Sequence, residues 1–136
     1  MRVLIVEDER ISGLVLQQLL SPFAECDLVV DGAQAIDAFT AGLTQNKPYD
    51  LICMDIMMPV LNGQEALIEI RKIEKKHNIF NNGVKVIMTT ALDDQVNIMK
   101  AFCQGGAMSY IVKPITPKKL YTKISEIGFN IPENVK

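Results

Sequence analysis

The chain has 136 residues, 49% of them hydrophobic, with a formal net charge of -2. That is the size of one ordinary domain with apolar content enough for a real core, which excludes two domains and intrinsic disorder. The slight acidity argues against a nucleic-acid binder, which carries a basic stripe, and no apolar run approaches the roughly 18 residues of a membrane span.

Met1-Arg2-Val3-Leu4-Ile5-Val6-Glu7-Asp8 enters a first strand at once, with no signal-peptide layout. Val3 to Val6 is continuously apolar, as a strand buried on both faces should be. Ile11, Leu14, Val15 and Leu19 follow at helical spacing, and Pro22 ends that helix. Cys26 to Val30 gives a second strand, and after Asp31-Gly32 a helix places Ala35, Ile36 and Phe39 on one face. Asn46-Lys47-Pro48 is a loop, and Asp50 to Met54 is a third strand that delivers Asp55 at its end. Past Met57-Met58-Pro59-Val60-Leu61-Asn62-Gly63, a third helix turns Ala66, Leu67, Ile70 and Ile73 inward. The polar, turn-rich segment from Lys75 to Gly83 reads as a surface loop, neutral for chemistry, with His77 solvent-exposed.

Val84 to Thr89 is a fourth strand. The next helix opens near Asp93-Asp94 and stops at Gly105-Gly106. Met108 to Val112 is a fifth strand, and Thr116-Pro117 opens a last helix in the favoured cap-then-proline arrangement, with Leu120, Ile124 and Ile127 as its apolar face. Strict alternation of five strands and five helices predicts a doubly wound α/β fold with parallel strands and right-handed crossovers. The domain is expected over residues 1–128, with 129–136 a short C-terminal tail. Cys26, Cys53 and Cys103 are odd in number, widely spaced and without a CxxC pair. They read as buried thiols in a reducing compartment, and the methionines as packing residues, so a soluble cytoplasmic domain is expected.

Ligands in an open parallel sheet bind beyond the carboxyl ends of the strands, at the switch in strand order. Strand one ends in Glu7-Asp8, strand three in Asp55, strand four in Thr89-Thr90 and strand five in Lys113-Pro114. Three carboxylates, a hydroxyl and an ammonium therefore fall on one rim. Crowded carboxylates do not all ionise cheaply without a cation. An oxygen-only cluster of this kind suits Mg²⁺, and metal and lysine together can neutralise a phosphoryl group placed between them. Phosphoryl transfer needs mostly positioning and charge stabilisation, and a carboxylate is an accepted nucleophile that yields an aspartyl-phosphate.

With these residues in view, the sequence resembles the response-regulator receiver family of two-component signalling, its stand-alone, chemotaxis-type members in particular. The matching residues are Val3 to Glu9, Asp55-Ile56-Met57-Met58-Pro59 with Asn62-Gly63, Thr90-Ala91, and Tyr110-Ile111-Val112-Lys113-Pro114. The likeness runs from about Arg2 to Gly128. It implies a flavodoxin-like five-stranded parallel sheet, (βα)5, in the order 2-1-3-4-5. It implies that Asp55 is the phosphoacceptor and that Asp8 ligates Mg²⁺ directly, with Glu7 assisting through water and the backbone carbonyl of Met57 adding a ligand alongside Asp55. Thr90 then hydrogen-bonds the phosphoryl group, Lys113 pairs with another of its oxygens, and Tyr110 is the switch aromatic that turns inward with Thr90. A cis Lys113-Pro114 peptide is also implied.

Plainer readings exist for each residue. Asp55 by itself could cap the turn before the third helix, Glu7-Asp8 could be a solvated strand end, and Tyr110 could be ordinary strand core. Thr89 competes with Thr90 for the switch role; Ala91 favours Thr90, although the Thr90 to Lys113 spacing is one residue longer than usual in the family, with Gly105-Gly106 the insertion. Met57 and Leu92, each two residues beyond a site residue, cannot orient an attacking water, so a comparatively long-lived aspartyl-phosphate is expected.

The function expected is a regulatory switch and not an enzyme in the ordinary sense, catalysing only its own phosphorylation and dephosphorylation. A histidine kinase or phosphotransfer protein donates to Asp55. A protein partner then reads the surface formed by the helix from Asp93, the last strand and the last helix. An aspartate-nucleophile phosphatase would want a second carboxylate where Met57 stands. A nucleotide or flavin module would want GxGxxG or a P-loop, and neither is present. A docking-only receiver would not keep Glu7, Asp8, Asp55 and Lys113 together.

Overall fold

Short apolar runs become strands and amphipathic stretches become helices in the computed structural model, which describes residues 1–80, 83–91 and 106–135. In chain order these are β1 (Arg2–Val6), α1 (Arg10–Leu20), β2 (Glu25–Val29), α2 (Gly32–Thr44), β3 (Leu51–Asp55), α3 (Gly63–Lys76), β4 (Lys85–Thr90), β5 (Ser109–Val112) and α4 (Pro117–Glu126). The helix expected from Asp93-Asp94 to Gly105 lies outside the described residues, as do Leu92, Met99 and Cys103.

All strand pairs are parallel and the sheet order is β2-β1-β3-β4-β5, as the resemblance implies. Two cores fill its two faces. Leu4, Val6, Ile52, Met54, Val86 and Met88 meet Ala35 and Phe39 of α2 and Ala66, Leu67 and Ile70 of α3. Val3, Ile5, Leu51, Cys53, Ile87 and Ile111 meet Leu16 and Leu20 of α1 and Leu120 and Ile124 of α4. Successive side chains of one strand thus serve opposite cores, which is why these strands are apolar without interruption.

The helix starts carry the chemistry read from the sequence. Asp31 accepts from the Gln34 amide, and Thr116 accepts from the Lys119 amide with Pro117 in the first turn. Asn62 caps α3, accepting from the Glu65 amide while the Glu65 carboxylate accepts from Asn62. Asp55 instead caps the turn before that helix, accepting from the Met57 amide at 3.1 Å. Gly63 is required by proximity: a Cβ there would sit 2.3 Å from the Asp55 carbonyl oxygen and 2.9 Å from the Met88 methyl. Its absence lets α3 start directly against the end of β3.

Two expectations are corrected. In α1 the buried face is Gly13, Leu16 and Leu20, whereas Ile11 and Leu14 are exposed. Apolar residues cover more than half of this helix, so periodicity alone does not select the buried stripe. α3 continues through Lys75 and Lys76, which the sequence assigned to the loop; both are good helix formers that favour a helix C-terminus, and the chain turns only at Asn78 (φ 60°). The segment after Phe129 also packs on the body: Ile131 is buried in the second core, and Lys85 stacks its ammonium 4.7 Å from the Phe129 ring centroid.

At the end of the sheet remote from Asp55, the Glu74 carboxylate is buried and accepts from the Val84 amide at 2.6 Å and from Arg71 at 2.7 Å. Arg71 also donates to the carbonyls of Val84 and Gly106. This pair ties the end of α3 to the starts of β4 and β5. Removing Glu74 leaves the Val84 amide without its acceptor and takes the carboxylate from the half-buried Arg71, so Glu74→Ala is expected to cost about 3 kcal/mol. Urea denaturation checks this; a loss below about 1 kcal/mol, the range of exposed ion pairs, would contradict it.

Candidate functional site

Strand order alone gathers the site. β1 and β3 are the strands flanking the switch in direction of winding, and their ends place Glu7 beside Asp55. One carboxylate oxygen from each of Glu7, Asp8 and Asp55 lies within 4.8 Å of the others. Glu7 is 2% exposed and Asp55 5%, while Asp8 is open to solvent. Lys113, rooted past the end of β5, reaches across β4 to both buried acids. Its Nζ lies 3.2 Å from Asp55 Oδ2 and 2.9 Å from Glu7 Oε2, and it donates a hydrogen bond to Glu7 Oε1 at 3.1 Å.

Two backbone amides complete the acids' partners. Met57 N–H donates to Asp55 Oδ1 at 3.1 Å, and Glu9 N–H donates to Glu7 Oε1 at 3.2 Å. The Met57 side chain itself is 65% exposed, so it is not the packing residue expected; Met54 and Met88 are. The Lys113-Pro114 peptide is cis. Val60, in the loop above Asp55, is exposed with φ 69°, a conformation that a β-branched residue rarely takes.

The electrostatics follow from burial. Desolvation pushes the Glu7 carboxyl up to about 7; the Lys113 hydrogen bond opposes this, and the nearby Asp55 charge adds to it. Burial by itself would lower the Lys113 ammonium, but the Glu7 and Asp55 carboxylates outweigh burial and hold it above its ordinary value. Fully ionised, three carboxylates against one ammonium leave two negative charges in a small volume. Glu7 Oε2 is buried, and its one partner among the described residues is the Lys113 ammonium 2.9 Å away. Hard oxygen donors and surplus negative charge together fit a divalent cation such as Mg²⁺.

The two threonines separate by face. Register pairs Asp55 with Thr89, and Thr90 with Val112. By strand alternation Thr89 points to the face of Ile87 and Cys53, whereas Thr90 shares the face of Met88 with Tyr110. Both threonines are buried and Tyr110 is half-buried. The Lys113 amide donates to the Thr90 carbonyl at 2.6 Å, fixing the end of β5 against β4. Of the residues anticipated from sequence, Glu7, Asp8, Asp55 and Lys113 converge directly, while Thr90 and Tyr110 form a neighbouring pair. The exposed His77 takes no part. Burial pushes the Cys53 thiol up to about 12, so it is inert at neutral pH.

This geometry coincides with a known family. The chain belongs to the response regulator receiver domain family, which matches residues 3–125. It is 31% identical over 128 residues to the chemotaxis protein CheY of Treponema pallidum, covering 93% of this chain and 81% of that protein. It is also 34% identical to hybrid signal transduction histidine kinase I of Dictyostelium discoideum, covering 98% of this chain but only 8% of the kinase. Among solved structures it resembles the receiver domain of the histidine kinase CKI1 from Arabidopsis thaliana complexed with Mg²⁺ (TM-score 0.80, 31% identity, covering 93% of this chain and 90% of that one). It likewise resembles the receiver domain of Ssk1 from Saccharomyces cerevisiae, co-crystallised with the histidine phosphotransfer signalling protein Ypd1 (TM-score 0.78, 30% identity, covering 94% and 88%). Receiver domains are regulatory phosphoacceptors of two-component systems and not classical enzymes.

The shifted Glu7 has a measurable consequence. Without metal, the folded protein keeps a proton on Glu7 that the unfolded chain releases above about pH 4.5. Stability from this group therefore falls as pH rises from about 4.5 to about 7 and is level beyond. Glu7→Gln cannot ionise, so its stability relative to wild type should rise by about 3 kcal/mol across that window. Thermal denaturation in chelator at each pH reads the difference, and parallel curves would contradict it.

Proposed function

We propose that Asp55 accepts a phosphoryl group from a phosphohistidine donor and that the resulting change in shape is read by a protein partner. The observation that carries this is the Lys113 ammonium shared between Asp55 and Glu7. That arrangement sets the nucleophile beside a fixed positive charge, in a mouth where Asp8 is open to solvent. Asp55 forms the new bond to phosphorus as the donor's phosphorus–nitrogen bond breaks, and the electron pair leaves with the imidazole. Glu7, Asp8, Asp55 and the Met57 carbonyl would hold Mg²⁺, which when bound supplies charge neutralisation for the phosphoryl oxygens. Lys113 turns from the carboxylate to a phosphoryl oxygen, and Thr90 donates to another. Movement of Thr90 opens space for Tyr110 on the same face, so phosphorylation biases two pre-existing packings.

The donor is a histidine kinase or phosphotransfer protein, a reading supported by the Ypd1 complex of the related Ssk1 receiver. Coverage of most of a chemotaxis protein supports a single-domain regulator. The chain's own residues catalyse both gain and loss of the group. A phosphatase acting on other molecules is disfavoured because the residue two beyond Asp55 is Met57, whose thioether can neither give nor take a proton.

Incubation with Mg²⁺ and acetyl phosphate should add one phosphoryl mass to the wild type and none to Asp55→Asn. An unmodified wild type, or an adduct that persists in the mutant, overturns the assignment. The exposed apolar Met57 side chain leaves an attacking water without a hydrogen-bond acceptor. The adduct should therefore outlast the seconds scale in Mg²⁺ buffer, and Met57→Asn should shorten its life several-fold. Decay of the wild type within seconds, or no effect of the substitution, contradicts this cause.

A further inference from the structure

Thr89 has no part in the chemistry described so far, yet it occupies a demanding position. It is 1% exposed, and its hydroxyl is buried with no hydrogen-bond partner among the described residues. Valine would fill the same space in the apolar company of Cys53, Ile87 and Ile111 without stranding a polar atom. The unsatisfied hydroxyl therefore destabilises the resting fold, and such groups collect where function requires them.

Its surroundings point to one atom. Thr89 is the register partner of Asp55 in adjacent parallel strands, so the two Cβ atoms lie roughly 5 Å apart on one face of the sheet. Lys113 reaches from β5 to Asp55 on β3 and Glu7 on β1. Because β4 lies between, its side chain passes over the end of β4, where Thr89 sits. At rest both Asp55 oxygens are engaged, Oδ1 by the Met57 amide and Oδ2 by Lys113. The Thr89 hydroxyl, on the strand next to Asp55, is left without a hydrogen-bond partner among the described residues.

We propose that Thr89 is a further catalytic residue for loss of the phosphoryl group, its hydroxyl donating to the Asp55 oxygen that Lys113 vacates. This rests on Asp55 carrying the phosphoryl group. In the adduct, Lys113 is drawn to the phosphoryl oxygens and leaves the carboxyl oxygen on its own side. When a water oxygen bonds to phosphorus, the phosphorus–oxygen bond to Asp55 breaks, its electron pair stays on the carboxylate, and phosphate departs as dihydrogen phosphate carrying both of the water's protons. Negative charge grows on the Asp55 carboxyl group during that step. A donor fixed beside it is strongest in the transition state and in the regenerated carboxylate, and so speeds the loss.

The test compares wild type, Thr89→Val and Thr89→Ser after loading with acetyl phosphate and Mg²⁺ and removal of the excess. Thr89→Val should melt a few degrees higher than wild type when unphosphorylated, yet hold its phosphoryl group about tenfold longer, while Thr89→Ser should keep the wild-type lifetime to within about twofold. A purely structural threonine would change melting temperature without this split between the valine and serine variants. An unchanged or shortened lifetime in Thr89→Val overturns the inference, as does a serine variant that behaves like valine. Failure of all three proteins to form an adduct would instead bring down the assignment of Asp55, and this inference with it.

Discussion

One ammonium holds the rim of this sheet together. Lys113 is the group that lets Glu7 and Asp55 lie buried side by side at the ends of β1 and β3. Two desolvated carboxylates so close would otherwise repel and take up protons, and Glu7 already does so in part, its carboxyl being pushed up to about 7. The same charge that relieves the repulsion also stands where an incoming phosphoryl group needs it. Stability and reactivity therefore draw on one ion. The remaining negative surplus is what makes the site receptive to a divalent cation, as Asp8 opens it to solvent.

The rest of the fold keeps those three strand ends in place. The capping box at Asn62 and the bare backbone of Gly63 allow α3 to begin against the Asp55 carbonyl. The pair of half-buried Arg71 and buried Glu74 anchors the opposite ends of β4 and β5. Around the mouth the molecule accepts local costs: Val60 in a left-handed conformation, a buried Glu7 oxygen met only by the Lys113 ammonium among the described residues, and the idle Thr89 hydroxyl. Such departures cluster at sites whose task needs them, and the remote end carries one buried unbonded atom of its own, Arg2 Nε.

Much of this was legible in the residues themselves. Uninterrupted apolar runs such as Val3 to Val6 and Leu51 to Met54 announce strands buried on both faces, and Asn62, Thr116-Pro117 and Asp31 announce helix starts. The acids and Lys113 were placed on one rim by strand ends alone. What escaped needed information that local pattern does not hold. Leu14, Val15, Leu16, Leu19 and Leu20 cover so much of α1 that its inward face depends on the sheet beneath. Arg71 and Glu74 have the spacing of an exposed helix pair, and only tertiary packing buries Glu74 and half-covers Arg71. The distinction between Thr89 and Thr90 rests on register, which places one beside Asp55 and the other with Tyr110.

The central claim, that Asp55 is the residue esterified, is tested most directly by chemical trapping of the adduct. Borohydride reduces an acyl phosphate to the alcohol, so the modified aspartate becomes homoserine and can be located by peptide mass mapping. After loading with acetyl phosphate and Mg²⁺, homoserine at position 55 alone is predicted. Homoserine at Asp8 or at another aspartate, or no reduced residue in a protein that carries the added phosphoryl mass, would contradict it.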